Sequence, residues 1–438
     1  MKGINKAQRD NAHRLLQCLA VASRPLRVEE LAELLAFDFR VSTEGGLPTL
    51  KEDWRWDDQE EAILSTCSSL ITIIPRDDSR VVQFSHFSVK EYLTSSRLAR
   101  SLNREVSRFR IDLEPAHTIM AQACLATLLR LDEHTGDGNA KMSPLVKYAA
   151  EHWVDHAQIG KVSSRVRDGM DDLFDSSKPH FAAWLKVHDI DEAWYGFSPY
   201  SRDGTGSPLY YSAFCGFYDV AECLITKYPE QVNERGGRNL FPLPAALYKK
   251  HLHVANLLYR HNAVVDIQGS SKYTPLFAAS YHGQVDIMRW LLDNGADANI
   301  RADYHITPLF EAVHQMHLEA VQVLLNHNAD INAQLDSQLF QGETTLYWFL
   351  SNRSSQGKFV VMVEQLLEHG ADPNICTDHH NTPLHLASSK RLLEVARLLL
   401  CYGAKVDVKD KKGKTPLQLA ESDEMTKLLL EHGAVPPT

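Results

Sequence analysis

The stretch Thr274–Asn299 reads TPLFAASYHGQVDIMRWLLDNGADAN, and Thr382–Asp407 reads TPLHLASSKRLLEVARLLLCYGAKVD. Both open on Thr-Pro-Leu, and both place a Gly 20 residues after the Pro, at Gly295 and Gly403. The triplet recurs as SPL at Ser207, FPL at Phe241, TPL at Thr274, TPL at Thr307, TTL at Thr344, TPL at Thr382 and TPL at Thr415. Gaps between the middle residues are 34, 33, 33, 37, 38 and 33. The 20-residue interval also separates Pro242 from Asn262 and Pro308 from Asn328. A non-repeating helical domain has no reason to keep such spacing, so the C-terminal half is a repeat array. The two long gaps are insertions, one near Gln334–Gly342 and one in the polar stretch Ser351–Lys358.

Each part of the unit has a physical role. Thr caps a first helix, and Pro fits the first turn because its missing N–H has no partner there. Ala278 and Ala279 are small where neighbouring helices approach. Val285, Met288, Leu291 and Leu292 have the spacing of one apolar helix face. Asn294-Gly295 then stops the second helix, since Gly adopts a left-handed cap without steric cost. Residues 296–300 lead into an extended turn towards the next unit.

These units resemble the ankyrin repeat, whose pattern is TPLHxA…G…VxxLLxxGADxN, over about Gly204–Pro436. The second unit loses its Thr, the fifth has Thr345 for Pro, and the last runs 17 residues from Pro416 to Gly433. Its short second helix, DEMTKLLLEH, suits a terminal cap.

Residues 1–110 do not fit the repeat. AQRDNAHRLLQCLAVASRPL, VEELAELLAFDF and WDDQEEAILSTCSSLITII read as three helices, and RVVQFSHFSVKEYLTSSRL as a strand running into a helix. Together they predict a winged helix. A DNA-reading third helix needs Arg or Lys, yet residues 57–75 contain Asp57, Asp58, Glu60 and Glu61 and no basic residue. A docking or structural role is expected instead. Leu15–Ala36, Leu70–Ile74 and Phe84–Ser95 resemble the winged-helix module that follows the NTPase domain in fungal NACHT-type, NLR-like proteins and in GPI inositol-deacylase-like sequences. That resemblance implies a nucleotide contact at His86, made only with an NTPase domain in front of it. Residues 111–203 read as a helical connector. IDLEPAHTIMAQACLATLLRLDE and Pro144–Gln158 have helical spacing, Gly136–Asn139 reads as a loop, and Tyr148–Trp153 (YAAEHW) matches the same fungal proteins.

The expected fold is therefore mainly α: a winged helix over 1–110, a helical connector over 111–203, and an ankyrin solenoid over 204–438 with about seven units.

No catalytic centre is legible. Lys411–Leu417 (KKGKTPL) ends like a phosphate-binding loop, but Val408 stands where the first Gly is required, and the stretch coincides with the turn into the last repeat. His379, His380 and His385 lack the spacing of metal ligands. No catalytic residue, metal or cofactor is expected. The seven cysteines are scattered without CxxC, and no apolar run is long enough to cross a membrane; both point to the cytoplasm or nucleus. A formal net charge of −10 argues against direct nucleic-acid binding.

The ankyrin resemblance implies a protein partner on a concave face built by hairpin tips and first helices. Carried residue by residue, it assigns that face Tyr273, Tyr281 and His282 in the third unit; Tyr304, Ile306, His314 and Gln315 in the fourth; and His379, Asn381, Ser389 and Lys390 in the sixth. Tyr and His are large, stiff and amphipathic, as interface anchors are. The last hairpin, Lys409–Lys414, adds a basic tip. The function so implied is a non-catalytic adaptor or scaffold. The alternatives are a transcriptional co-regulator working through a DNA-binding partner, and the C-terminal part of an NLR-like signalling NTPase.

Overall fold

The computed structural model describes residues 9–40, 46–67, 69–77, 79–100, 103–132, 142–191, 206–237, 241–269, 272–352 and 358–436. The loop expected at Gly136–Asn139 and most of the Ser351–Lys358 insertion lie outside them. The chain divides into two compact units, residues 1–263 and 264–438.

The first unit opens with helix α1 (Arg9–Val21), whose Ala12, Leu15, Leu16 and Cys18 are buried. After Pro25, strand β1 (Leu26–Arg27) leads into α2 (Val28–Leu35). Glu30 of α2 is buried, and its charge is matched. Arg24 clasps both carboxylate oxygens at 2.7 and 2.8 Å, and the Arg27 N–H donates at 2.8 Å. Strand β2 (Phe37–Asp38) pairs with β3 (Thr49–Leu50), so the second helix stops short of the expected AFDF. Helix α3 (Gln59–Cys67) precedes β4 (Ile71–Arg76) and β5 (Ser79–Phe84), which form an antiparallel sheet in the order β1-β5-β4.

This corrects the reading of residues 56–74 as one helix. The helix ends at Cys67, and Ile71–Ile74 face Val81–Phe84 across the ladder. The run Ile71-Thr72-Ile73-Ile74 is entirely β-branched, which disfavours a helix and suits a half-buried strand.

Behind the winged helix, helices Leu113–Leu128 and Val146–Ala157 pack together. Trp153 lies at the centre of an aromatic cluster with Phe174, Trp184 and Phe217, at centroid distances of 5.3–6.2 Å. His156 is fully buried and joined on both sides. Its Nε2 is 2.9 Å from the Tyr148 hydroxyl and its Nδ1 is 2.8 Å from His117 Nδ1. The first two repeats complete this unit, with helix pairs Pro208–Cys215/Tyr218–Lys227 and Pro242–Tyr248/Leu252–Arg260.

The second unit holds the remaining pairs: Pro275–Tyr281/Val285–Asp293, Pro308–His314/Leu318–Asn326, Thr345–Asn352/Lys358–Glu368 and Pro383–Ser389/Leu393–Cys401. First helices pack on first helices and second on second. The caps expected from Thr are made: Thr274, Thr307 and Thr344 hydroxyls accept from the N–H of Phe277, Phe310 and Tyr347 at 3.2–3.3 Å. The glycine landmark 20 residues after Pro has positive φ at Gly295 (89°) and Gly403 (85°), and Asn328 takes the same conformation (61°).

One expectation is revised. In the last repeat the second helix, Asp423–Glu431, is nine residues long, equal to Leu318–Asn326. The lost length falls in the first helix, which contracts to a 3-10 turn at Pro416–Leu419. The insertion near Gln334–Gly342 is a structured excursion: a helical turn at Ser337–Phe340, capped by Asp336 and closed by a bridge between Gln334 and Thr344.

Candidate docking face

The face begins with the hairpins. Each turns through a left-handed residue three positions before the Pro or its equivalent: Lys272, His305, Gly342, His380 and Gly413. Gly413 of the phosphate-loop-like stretch is thus the fifth member of a structural series. Lys412 and Lys414 donate their backbone N–H groups to Asp410 Oδ1, both at 2.8 Å, so the turn closes on its own carboxylate. Those two amide bonds, with the nearby lysine charge, hold the Asp410 carboxyl below the usual carboxylate range.

Successive tips are joined. Asp336 N–H donates to Tyr304 O (3.2 Å), Asp378 N–H to Gln341 O (2.7 Å), and Lys411 N–H to His379 O (3.1 Å). At the opposite end of each hairpin a side-chain ladder runs through the unit. Asn299 donates to Asn328 O and accepts from Asp330 N–H; Asn332 does the same with Gly370 O and Asp372 N–H; Asn374 repeats it with Gly403 O and Lys405 N–H. These bonds fix the spacing of the tips.

On this frame the expected residues fall as follows. Tyr304 is 56% exposed and, like His305, has positive φ (59° and 63°), an unusual conformation for a bulky side chain. Tyr273 is half-buried, its ring stacked on Phe277 at 4.3 Å. Burial, then Glu311 and Asp303 nearby, raises its phenol above the ordinary value. Tyr281 and His282 meet edge to face at 5.0 Å. Ile306 is half-buried at the hairpin's return. His314 and Gln315 both bond Glu311 Oε1, at 3.2 and 2.9 Å. In the sixth repeat His379 and Lys390 are exposed and Asn381 is half-buried. Lys390 Nζ reaches the carbonyls of Leu350 and Ser351, near the end of the fifth repeat's first helix, where a cation is favoured.

The densest group was only partly legible. Trp348 meets Phe310 at 4.7 Å and His314 at 5.0 Å, and Phe340 approaches Phe310 at 6.0 Å. Of these only His314 was expected. Trp348 lies three residues after Thr345, equivalent to Glu311 after Pro308, a position to which the ankyrin resemblance assigns no partner contact. Phe340 comes from the inserted turn, where repeat register gives no guide. Glu343, whose N–H donates to Phe340 O at 2.9 Å, has its carboxyl pushed up to about 7 by burial.

His385 of the sixth repeat is buried. Its Nδ1 accepts from Thr382 N–H at 3.1 Å and its Nε2 is 3.2 Å from Lys414 O, tying the sixth repeat to the last hairpin. His86, in the first unit, is exposed and caps the helix Phe87–Thr94: its Nδ1 accepts from Ser88 N–H at 3.2 Å. Among the described residues, no group of three or more His, Cys, Asp or Glu is arranged to hold a metal, and no helix is long and apolar enough to cross a membrane.

Comparison with known proteins agrees with this geometry. The ankyrin repeats family model matches residues 209–302, 243–335, 333–410 and 350–437, more than half the chain in all. The model of the GPI inositol-deacylase winged helix domain matches residues 1–105. An azaphilone pigments biosynthesis cluster protein L of Monascus ruber is 30% identical over 276 residues, 58% of this chain and 56% of that protein. A putative ankyrin repeat protein of Rickettsia felis is 49% identical over 59 residues, 12% of this chain and 26% of that one. The chain thus spans less than two thirds of either relative's length. Among solved structures, the ankyrin repeat domain of Bcl-3, of the IkappaB family, aligns at 27% identity with a TM-score of 0.46, covering 51% of this chain and 98% of that one. From its repeat spacing, its capped helix pairs and the two family-model matches, the chain belongs to the ankyrin repeat family, a protein-interaction repeat, and carries ahead of the repeats a winged helix like that of GPI inositol-deacylase.

Proposed function

We propose that the chain is a non-catalytic adaptor that holds a protein partner on the hairpin and first-helix face of residues 264–438. The observation carrying this reading is the group of half-buried His314, Phe340 and Trp348 around the buried Phe310, with Tyr304 standing exposed in the same repeats. Aromatic anchors of this kind contribute most of the energy at protein interfaces. The three-part organisation belongs to the same reading: winged helix to 110, helical connector to 203, repeats to 438. So does a cytoplasmic or nuclear location, supported by Cys18, Cys67, Cys124 and Cys215, which are buried and unpaired. The Monascus relative's name suggests one setting, an organising role among the proteins of a biosynthetic cluster. The test is affinity capture by the purified chain, with and without alanine at Tyr273, Tyr281 and Tyr304. The expected outcome is at least a tenfold loss of bound partner, since hot-spot truncations cost about 2 kcal/mol or more. Unchanged capture would place the partner elsewhere.

The winged-helix match favours a second reading, that the chain is the regulatory C-terminal part of an NLR-like NTPase, with His86 turned to the nucleotide. Saturable binding of a radiolabelled nucleotide by a chain that includes such a domain, weakened by His86→Ala, supports it. Binding indifferent to that substitution removes His86 from the site.

A further inference from the structure

The hairpin tips of residues 264–438 carry a charge order. Position by position, the fourth hairpin offers Asp303 and Tyr304, the fifth Phe340, Gln341 and Glu343, the sixth Asp378, His379 and Asn381, and the seventh Lys411, Lys412 and Lys414. The first three tips contain acids and aromatics and no lysine or arginine at these positions; the last is wholly cationic. All three lysines are exposed, and the Oδ1 of the preceding Asp410 is taken by the amides of Lys412 and Lys414. At the other end Glu311 is 6% exposed beside Trp348's ring partners, and Glu343 is half-buried next to Phe340. The half-buried Glu343 carboxylate is matched by a cation, whose charge-assisted hydrogen bond gains in a half-dry setting. An exposed trio of lysines is matched by carboxylates.

Spacing converts this order into a sequence requirement. The fourth to seventh tips are bonded in series, so the distance from the Glu343 end to the lysine end is two repeat steps. Packed helices stand about 8–10 Å apart, giving roughly 20 Å. An extended chain rises about 3.3 Å per residue, so about six residues bridge the two ends.

We propose that this face selects an extended protein segment with an arginine or lysine seated against the half-buried Glu343 and, about six residues away, a run of acidic residues against Lys411, Lys412 and Lys414. The proposal rests on the docking reading above and adds the chemistry and register of the partner.

The test uses the full chain and a displayed library of random peptides about twelve residues long, enough to span both ends. Three proteins are screened: the parent chain, a Lys411→Glu/Lys412→Glu/Lys414→Glu variant and Tyr304→Ala. All substituted side chains are exposed, so each variant is expected to keep the fold, checked by circular dichroism. The parent is expected to enrich peptides with a basic residue and an acidic run at the stated separation. The triple variant is expected to enrich peptides in which the acidic run is replaced by a basic one, and to bind the parent's peptides about tenfold or more weakly, as several concerted charge pairs require. Moving the acidic run next to the basic residue, at constant composition, should cost a similar factor. Peptides without the register, or bound equally by the triple variant but lost with Tyr304→Ala, overturn the charge order and leave the docking face standing. Peptides indifferent to both variants overturn the face as well. Failure to enrich any peptide overturns the charge order.

Discussion

At the scale of single residues, His156 shows how a buried group records its surroundings. Burial is the main cause, with the neighbouring His117 second, that lowers its pKa from 6.5 to about 3. It is therefore neutral in the folded chain, and one arrangement leaves no donor idle: Ser23 N–H to Tyr148 Oη, Tyr148 O–H to His156 Nε2, His156 Nδ1–H to His117 Nδ1. Because the folded pKa lies below the unfolded one, the unfolded chain binds the extra proton. The contribution is whole above pH 6.5 and is lost as pH falls towards about 3. Urea unfolding at a series of pH values should show His156→Gln flattening that slope by about one proton, up to about 1.4 kcal/mol per pH unit. An unchanged slope would mean the ring is already charged in the fold. Lys250 is a second case. It is exposed, has φ of 63°, and occupies the turn between paired helices where Gly216 and Gly283 serve in the first and third repeats. A left-handed side chain costs about 1–2 kcal/mol, part of which a glycine returns as unfolded-state entropy. Lys250→Gly should raise stability by up to about 1 kcal/mol in the same assay, and a loss would show that the lysine makes a compensating contact.

At the scale of elements, the ladder along residues 299–405 is the feature that sets hairpin spacing. Asn332 is its middle rung, donating to Gly370 O at 3.1 Å and accepting from Asp372 N–H at 2.9 Å. Asn332→Ala leaves both groups without that partner, and a cost of about 1–3 kcal/mol is expected from thermal or urea unfolding. The Asp and Asn of each repeat were visible in the sequence, but the bonds between repeats are long-range and no local pattern announces them. The same distinction explains what else was legible. Thr-Pro and the Gly at its fixed distance are local signals, so helix starts and stops followed directly. Ile71–Ile74 was misassigned because a short apolar run has no period of its own; its β-branching and the ladder with Val81–Phe84 decide it. Glycine landmarks were found where Gly stands. The left-handed turns at Lys250, Met316 and Arg391 were invisible because tertiary packing imposes that backbone on ordinary residues. At the proposed docking face, Tyr273, Tyr304 and His314 are positions that the ankyrin resemblance assigns. Trp348 and Phe340 are not, because one sits at a register to which the resemblance assigns no contact and the other in an insertion.

At the scale of the whole molecule, the two compact units carry different chemistry. Residues 1–263 hold the winged helix, the connector helices with their aromatic core, and two repeats. Residues 264–438 hold the aromatic, acidic and basic positions of the proposed docking face. Repeats couple chiefly to their neighbours, so the bonded tips are the natural route by which a bound segment stiffens this unit. Hydrogen exchange on the full chain, free and saturated with a peptide selected as above, tests the central claim most directly. Slower exchange is predicted in the hairpins and first helices of residues 302–315, 335–352, 377–390 and 410–419, with the second helices Val285–Asp293, Leu318–Asn326 and Leu393–Cys401 unchanged. Protection confined to those second helices, or to the winged helix, would contradict it.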